Sequence, residues 1–308
     1  MNNIAIILPA FDEEFTIKET ILGFYNELPT ANIVVIDNNS KDNTSLIVQN
    51  VFKEFNINGT LLFESKQGKG NAIRYAFHKI DADIYIMADA DMTYPASEIH
   101  KLIEPVLNED VDMVIGDRIS EGIYKKENKR PMHTFGNKLV QKLVNKLFDS
   151  NISDIMSGYR VFSKKFVKNY PILVEGFELE TDMTLHALDK KFKIKEIAIN
   201  YKDRPEGSFS KLSTVDDGIK VLLTIFKIFR YYKPFLFFTL VSLLFAIFSL
   251  ISAIPVFSDW ILHKYIYHVP LAILATGLGL ISIMLFLVGI ILDAIAYQNK
   301  LEFEQRLL

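Results

Sequence analysis

Hydrophobic positions along this chain fall into two regimes. Up to about Tyr231 they form short apolar runs alternating with amphipathic stretches and polar turns. Ile4–Leu8, halted by Pro9, reads as a strand, and so do Ile33–Ile36, Thr60–Glu64, Ile84–Ala88, Asp112–Gly116, Val161–Ser163 and Ile194–Ile199. Helical spacing recurs over Thr16–Tyr25, Ser45–Phe55, a stretch running to about Lys79, Ser97–Leu107, Met132–Phe148, Glu178–Lys190 and Val215–Phe229. Alternation at this spacing predicts an α/β fold with a mostly parallel central sheet and helices on both faces. Ligands of such sheets collect at the carboxyl ends of the strands. The polar clusters Pro9–Glu13, Asp37 and Asp89–Asp91 all fall there.

Beyond Tyr231 the regime changes. Pro234–Phe257 has Ser and Thr as its only polar side chains, and Val269–Leu292 carries no charge. At 1.5 Å per residue each is long enough for a hydrocarbon core of roughly 30 Å. Both read as transmembrane helices joined by a short link, 258–268. Lys227, Arg230 and Lys233 precede the first span, and Lys300 and Arg306 follow the second. That bias predicts both chain ends on the cytoplasmic side of an inner or plasma membrane, with the link outside. The expected division is a catalytic domain over 1–231, with interface helices near 132–148 and 213–231. A two-helix anchor over 232–298 and a cytoplasmic tail over 299–308 complete it. Met1–Pro9 runs straight into a strand, so no signal peptide is expected.

Composition changes this picture little. The 308 residues include no Cys, which excludes disulfides and thiolate chemistry. The net charge of −3 says little about nucleic acid, and no nucleic-acid partner is expected. Neither a GxGxxG after the first strand nor a Walker A sequence is present. The 6 His residues show no HExxH-like spacing, and none is assigned to a metal; His78 and His186 read as structural.

Asp89 and Asp91, flanking Ala90 after an apolar strand, suit a hard divalent cation, although a solvated turn has the same pattern. Met87 and Met92 read as packing residues beside them. Gly68 and Gly70 suit either a helix start or close approach of a ligand. In Met132–Phe148, Lys138, Lys142 and Lys146 recur beside Leu139, Leu143 and Leu147. That helix can lie in a membrane interface or pack on the sheet with a basic outer face.

Taken together, LPAFDEE (Leu8–Glu14), VIDNNSKDNT (Val35–Thr44), QGKGNAIRYA (Gln67–Ala76), ADAD (Ala88–Asp91), GDR (Gly116–Arg118), DIMSGYR (Asp154–Arg160) and RPEGSFSKL (Arg204–Leu212) resemble the family 2 glycosyltransferases that make polyprenyl-phosphate sugars. Dolichol-phosphate mannose synthases and bacterial undecaprenyl-phosphate glucosyltransferases are of this kind. The resemblance runs from Ile4 to about Tyr231. It departs from the family at Asp37-Asn38-Asn39-Ser40, where the usual pattern is DDGS.

The resemblance implies a glycosyltransferase A-type nucleotide-sugar domain. Pro9, Phe11, Glu13 and Asp37 would line the nucleoside site, with Asp37 facing the base, and Lys69, Asp89, Ala90 and Asp91 would complete the nucleotide-sugar site. Asp89 and Asp91 would hold Mg²⁺ or Mn²⁺. The implied acceptor is undecaprenyl phosphate, approached by Arg118, Arg130, Arg204 and Lys211. The catalytic set is Asp91, Asp154, Arg118 and Arg204. Asp154 would either position the donor sugar or Arg160, or act as base toward a hydroxyl acceptor. The expected donor is UDP-linked glucose or N-acetylglucosamine, transferred with inversion. The expected assembly is a membrane-bound homo-oligomer, with a tetramer among the candidates.

Overall fold

The computed structural model describes residues 3–119, 131–176, 178–202, 205, 223 and 225–307. Arg130, Arg204, Lys211 and most of 213–231 lie outside them. The chain divides into two compact units, Met1–Val221 and Leu222–Leu308.

In the first unit the order is β1 (Ile4–Ala10), α1 (Ile17–Glu27), β2 (Asn32–Asp37), α2 (Thr44–Glu54), β3 (Gly59–Phe63), α3 (Lys69–Lys79) and β4 (Ile84–Met87). Then come α4 (Ile99–Asn108), β5 (Met113–Asp117), α5 (Pro131–Phe148), β6 (Arg160–Ser163), α6 (Lys164–Asn169), α7 (Leu179–Asp189) and β7 (Ile194–Ala198). The strands form one sheet in the order β3-β2-β1-β4-β6-β5-β7. β1–β2, β2–β3, β1–β4 and β5–β7 pair parallel. β6 runs antiparallel to both β4 and β5, so the sheet is mixed but mostly parallel. Ala5–Leu8, Ile33–Ile36 and Ile84–Met87 are buried throughout, which is why these strands read as unbroken apolar runs rather than alternating ones.

Ile6, Leu8, Val35, Ile86, Val114 and Val161 meet Ile17, Ile21 and Phe24 of α1 and Ile99 and Leu102 of α4 in one core. Burying each such side chain contributes about 1.5–3 kcal/mol. β1 lies between β2 and β4, so the strand order reverses there. The loops after β1, β2 and β4 therefore leave from neighbouring carboxyl ends, where crevices form in α/β sheets.

An aromatic cluster accounts for His186. Its ring lies 5.0 Å from Tyr170, 5.8 Å from Phe192 and 6.0 Å from Phe166. Burial, helped by the nearby Lys190 charge, lowers its pKa to about 4. The unfolded chain takes up this proton near pH 6.5, whereas the folded chain resists until about pH 4. Stability is therefore lost as pH falls through that window, by about 3 kcal/mol in total. His186→Phe should flatten this part of the acid arm in thermal melts at pH 7 and pH 4.5. Equal acid sensitivity in both proteins would refute the assignment.

Several sequence expectations shift. β6 begins at Arg160 and β4 ends at Met87. In α5, Gly136, Val140 and Val144 are buried. Leu139 is exposed, Leu143 and Leu147 are half-buried, and Lys138, Lys142 and Lys146 are exposed. One face of α5 packs inward, and a lysine–leucine stripe remains outside.

The second unit contains a helical stretch over 225–232. It is followed by α8 (Pro234–His263) and α9 (Val269–Leu307), of 30 and 39 residues, both long and apolar enough to cross a membrane. The two helices are tied by Ser242 Oγ donating to Ser282 O at 2.9 Å and Ser282 Oγ donating to Ser242 O at 2.9 Å. The link is shorter than the sequence suggested. Residues 258–263 continue α8, because Asp259 Oδ2 accepts the backbone N–H of Tyr267 (2.8 Å) and His268 (3.0 Å) and closes the turn tightly. Residues 299–307 continue α9.

Candidate active site

The loops after β1 and β2 are stitched together. Asp12 N–H donates to Ser40 Oγ (3.0 Å), Lys41 N–H to Asp12 Oδ1 (2.7 Å), Glu13 N–H to Thr44 Oγ1 (2.9 Å) and Glu14 N–H to Asp42 Oδ2 (3.0 Å). Asp12 and Asn39 take the left-handed backbone, with φ of 52° and 65°, a conformation Asn and Asp tolerate better than most residues. Pro9 does not halt the strand, because its missing N–H is needed by no neighbour there; it pairs with Ile36 and β1 runs on to Ala10. Phe11 and Glu13 follow, half-buried on the wall. Asp37, buried at the end of β2, accepts Ser40 N–H at Oδ1 (2.8 Å) and the Ser45 hydroxyl at Oδ2. Each carboxylate oxygen has a second lone pair.

Asn38 explains the departure from DDGS. Its Nδ2 donates to Glu64 O (3.2 Å) and Lys66 O (2.6 Å), and its Oδ1 accepts Gly68 N–H (2.7 Å). A carboxylate could not donate to two carbonyl oxygens. The amide brackets the segment leading from β3 into α3.

Gly68 and Gly70 are required by chain packing. Gly68 has φ 130°, and a Cβ there would lie 2.1 Å from Glu175 O. A Cβ on Gly70 would lie 2.1 Å from Val174 O, and Gly70 N–H donates to Glu175 O at 2.9 Å. The close approach is therefore made by the 174–175 backbone, a partner the sequence reading did not foresee.

Between these glycines, Lys69 sends its ammonium to Asp89 and, at 2.5 Å, to Glu180 of α7. Burial disfavours that charge, but the two carboxylates more than reverse the effect and hold the ammonium protonated. Gly158 lets the DIMSGYR backbone close over the pair: a Cβ there would sit 2.8 Å from Asp89 Oδ2 and 3.0 Å from Lys69 Nζ. Asp91 is buried, and its Oδ1 accepts the Thr93 N–H (3.1 Å) and hydroxyl (2.6 Å). Ala90 is buried and accepts Thr20 Oγ1 at its carbonyl (3.2 Å), which pins the loop to α1. Met92 is 36% exposed with φ 63°, so it is not the packing residue expected; the bend of the acidic loop turns it out of the core.

Arg118, at the end of β5, meets Asp154 in a fork: Nε to Oδ2 at 2.7 Å and Nη2 to Oδ1 at 2.9 Å. Its backbone N–H also donates to Oδ2 at 3.2 Å. Nη1 donates to the Tyr94 hydroxyl (3.2 Å), which also accepts Gly158 N–H (2.8 Å). The guanidinium lies 6.0 Å from the Tyr94 ring centre and 5.5 Å from that of Tyr201. Both residues of the pair are buried. Burial alone would raise the Asp154 carboxyl; the Arg118 charge and its hydrogen bonds outweigh that and hold it below the ordinary range. Glu196 of β7 accepts the N–H groups of Ser153 and Asp154, at 2.8 and 2.9 Å, and so fixes the loop.

Asp154 thus holds Arg118 rather than Arg160. Arg160 is fully buried and donates to Ile155 O (2.6 Å), Ser157 O (2.8 Å) and Thr184 Oγ1 (2.9 Å). Backbone carbonyls already meet its donors, which leaves Asp154 to the other guanidinium. Tyr94, Gly158, Glu180, Glu196 and Tyr201 were all missed from sequence. Glu180 sits in a helical first turn, where an acidic residue is ordinary.

Among the described residues no three His, Cys, Asp or Glu side chains cluster as a ready-made metal cage. Mg²⁺ asks for less: one or two carboxylates, with substrate phosphates and water completing the shell. Asp89 and Asp91, hard oxygen donors on one loop, fit that requirement.

Residues 5–170 match glycosyl transferase family 2. Glycosyltransferase AglJ of Haloferax volcanii is 27% identical over 95% of this chain and 93% of its own length. The UDP-N-acetylglucosamine–dolichyl-phosphate N-acetylglucosaminyltransferase of Methanococcus voltae is 28% identical over 64% of this chain and 84% of its own. Glucosyl-3-phosphoglycerate synthase of Mycobacterium tuberculosis, solved with Mn²⁺, UDP-glucose and phosphoglyceric acid, has the same fold. It superposes with a TM-score of 0.54 at 17% identity, over 73% of this chain and 79% of that one.

Proposed function

This chain belongs to glycosyl transferase family 2, and from that premise we propose that it transfers one sugar from a nucleoside diphosphate sugar to a membrane polyprenyl phosphate. The donor is UDP-glucose or UDP-N-acetylglucosamine, the acceptor is undecaprenyl phosphate, and the configuration at the anomeric carbon inverts. The observation that carries this reading is the Arg118–Asp154 fork. A hydroxyl acceptor needs a base, and Asp154 is committed through both oxygens to a buried guanidinium. A phosphate monoester needs no base, because with a second pKa near 6 it arrives as a nucleophile. The Methanococcus voltae relative, whose name states a dolichyl-phosphate acceptor, supports the same class.

In this reading Pro9, Phe11, Glu13 and Asp37 receive the nucleoside, with Asp37 toward the base. Lys69 faces the diphosphate, and Asp89 and Asp91 hold Mg²⁺ or Mn²⁺. When bound, that cation offsets charge developing on the departing nucleoside diphosphate. Arg118, Arg130, Arg204 and Lys211 draw the acceptor phosphate toward the anomeric carbon, guanidiniums being suited to bidentate phosphate binding. Lys202 N–H donates to Thr93 O at 3.0 Å, so the chain passes beside the acidic loop at that point. The α5 lysine–leucine stripe suits headgroup contact. α8 and α9 anchor the enzyme with both chain ends cytoplasmic.

The test uses the purified full-length protein with Mn²⁺, undecaprenyl phosphate and nucleotide sugars supplied singly, with lipid products weighed by mass spectrometry. The expected result is one lipid heavier by a single sugar, released with the free nucleoside diphosphate. Transfer only to a lipid-linked sugar hydroxyl would overturn the phosphate acceptor and return Asp154 to the role of base.

A further inference from the structure

Lys69 sits where a cation would be attracted. It opens α3 beneath Gly158, and its side chain is 9% exposed. Its two carboxylate partners differ: Glu180 is 7% exposed and Asp89 is 30% exposed. Glu180 is the inner anchor, and Asp89 the outer partner that incoming groups can reach.

We infer that Lys69, anchored by Glu180, is a built-in counter-ion for Asp89 that a divalent cation has to displace, so that the protein takes up the cation together with the nucleoside diphosphate rather than ahead of it. The inference rests on the proposed use of a cation-bound nucleoside diphosphate sugar, and it gives Glu180 a positioning role. An ammonium already at Asp89 neutralises that carboxylate and repels a second cation, which weakens the site toward a divalent ion until a diphosphate adds further negative charge. A diphosphate changes the balance, because its oxygens give the ammonium a new partner and free Asp89 for the metal. Lysine suits the exchange, being a compact charge with three donors on a flexible stem. Glu180 keeps the stem from swinging away. Gly158 packs close over the pair, where even a Cβ would crowd Asp89 and Lys69.

The test is Mn²⁺ binding to the full-length protein in detergent, read from loss of the free-ion electron paramagnetic resonance signal, without nucleotide and with UDP. Wild type should bind Mn²⁺ weakly alone and more tightly with UDP. Lys69→Met should tighten nucleotide-free binding by about tenfold, as expected for removing a like charge close by. It should also shrink the gain from UDP. Adding Asp89→Asn should abolish the tightening. Glu180→Gln should move the other way, because Lys69 then serves Asp89 more fully. Lys69→Arg should stay near wild type, and melting curves show that each variant is folded. Lys69→Met binding Mn²⁺ no better than wild type, or Glu180→Gln shifting in the same direction as Lys69→Met, would overturn the inference. If UDP leaves Mn²⁺ binding unchanged in wild type, the donor reading fails, and coupled uptake fails with it. The nucleotide-free ranking decides the counter-ion role by itself.

Discussion

Gly70→Ala is expected to destabilise the catalytic unit severely. The new Cβ would sit 2.1 Å from Val174 O and 2.9 Å from the Val174 carbonyl carbon. These are backbone atoms, so no side-chain rotation relieves the clash. Either the 174–175 segment lifts, breaking the Gly70 N–H bond to Glu175 O, or α3 shifts and carries Lys69 with it. Overpacking costs about 1–3 kcal/mol where neighbours can adjust, and with a rigid neighbour and a lost hydrogen bond the expectation is about 3 kcal/mol or more. Denaturant unfolding of the full-length protein measures it. Activity should fall as well, because Lys69 moves with the start of the helix. A variant with wild-type stability would mean that the 174–175 segment is not held against α3. Gly68→Ala should behave similarly, with the strain of φ 130° added.

Asp154→Asn is the second large effect, and it separates positioning from base catalysis. The amide keeps the shape of the carboxylate but offers one acceptor oxygen, and its NH₂ faces a guanidinium. Leaving a buried charge uncompensated costs about 3–5 kcal/mol, and an ångström-scale displacement of a positioning group costs on the order of 10²-fold in rate. Both losses are expected, read as a lower melting temperature and a lower kcat/KM for the lipid acceptor. Arg118→Lys should reproduce the kinetic loss, because a lysine cannot make the fork or lie flat on Tyr94 and Tyr201.

The pH profile gives the readout that a merely structural role would not move. With its carboxyl held below the ordinary range, Asp154 stays ionised from neutrality down past pH 5. The stabilisation it contributes is present above its unfolded value near 3.8 and is lost only as pH falls through the lower folded value. The wild-type rate should therefore show no Asp154 limb between pH 5 and 8. An acid limb present in wild type and missing from Asp154→Asn would make Asp154 a base and the positioning account wrong, whereas a limb near pH 6 shared by both belongs to the acceptor phosphate.

Much of this was legible along the chain. β1, β2 and β4 stand out as apolar runs because both faces of each strand are buried, so no polar position interrupts them. Asp37, Asp89 and Asp91 could be placed at the carboxyl edge because a loop residue's place follows from the strand just before it. The two long apolar helices were visible because unbroken apolar length shows directly in the sequence. The α5 core face was not legible, because valines and leucines both recur along it, and only the neighbouring elements select which row turns inward.

Pairing was not legible in this way. Lys69 meets Glu180 111 positions further along, and Arg118 meets Asp154 36 positions along, with Glu196 behind them. Charge attraction depends on distance through space and on how much water is excluded, and neither quantity is written in sequence spacing. What the sequence determined by itself was the set of elements, the edge where the acidic loops gather and the membrane-length helices, all of which follow from local periodicity. The tertiary structure decided which carboxylate holds which cation: Asp154 serves Arg118 and not Arg160, and Asp89 shares Lys69 with Glu180. Those choices are made only when burial strips water from groups that the fold has brought together.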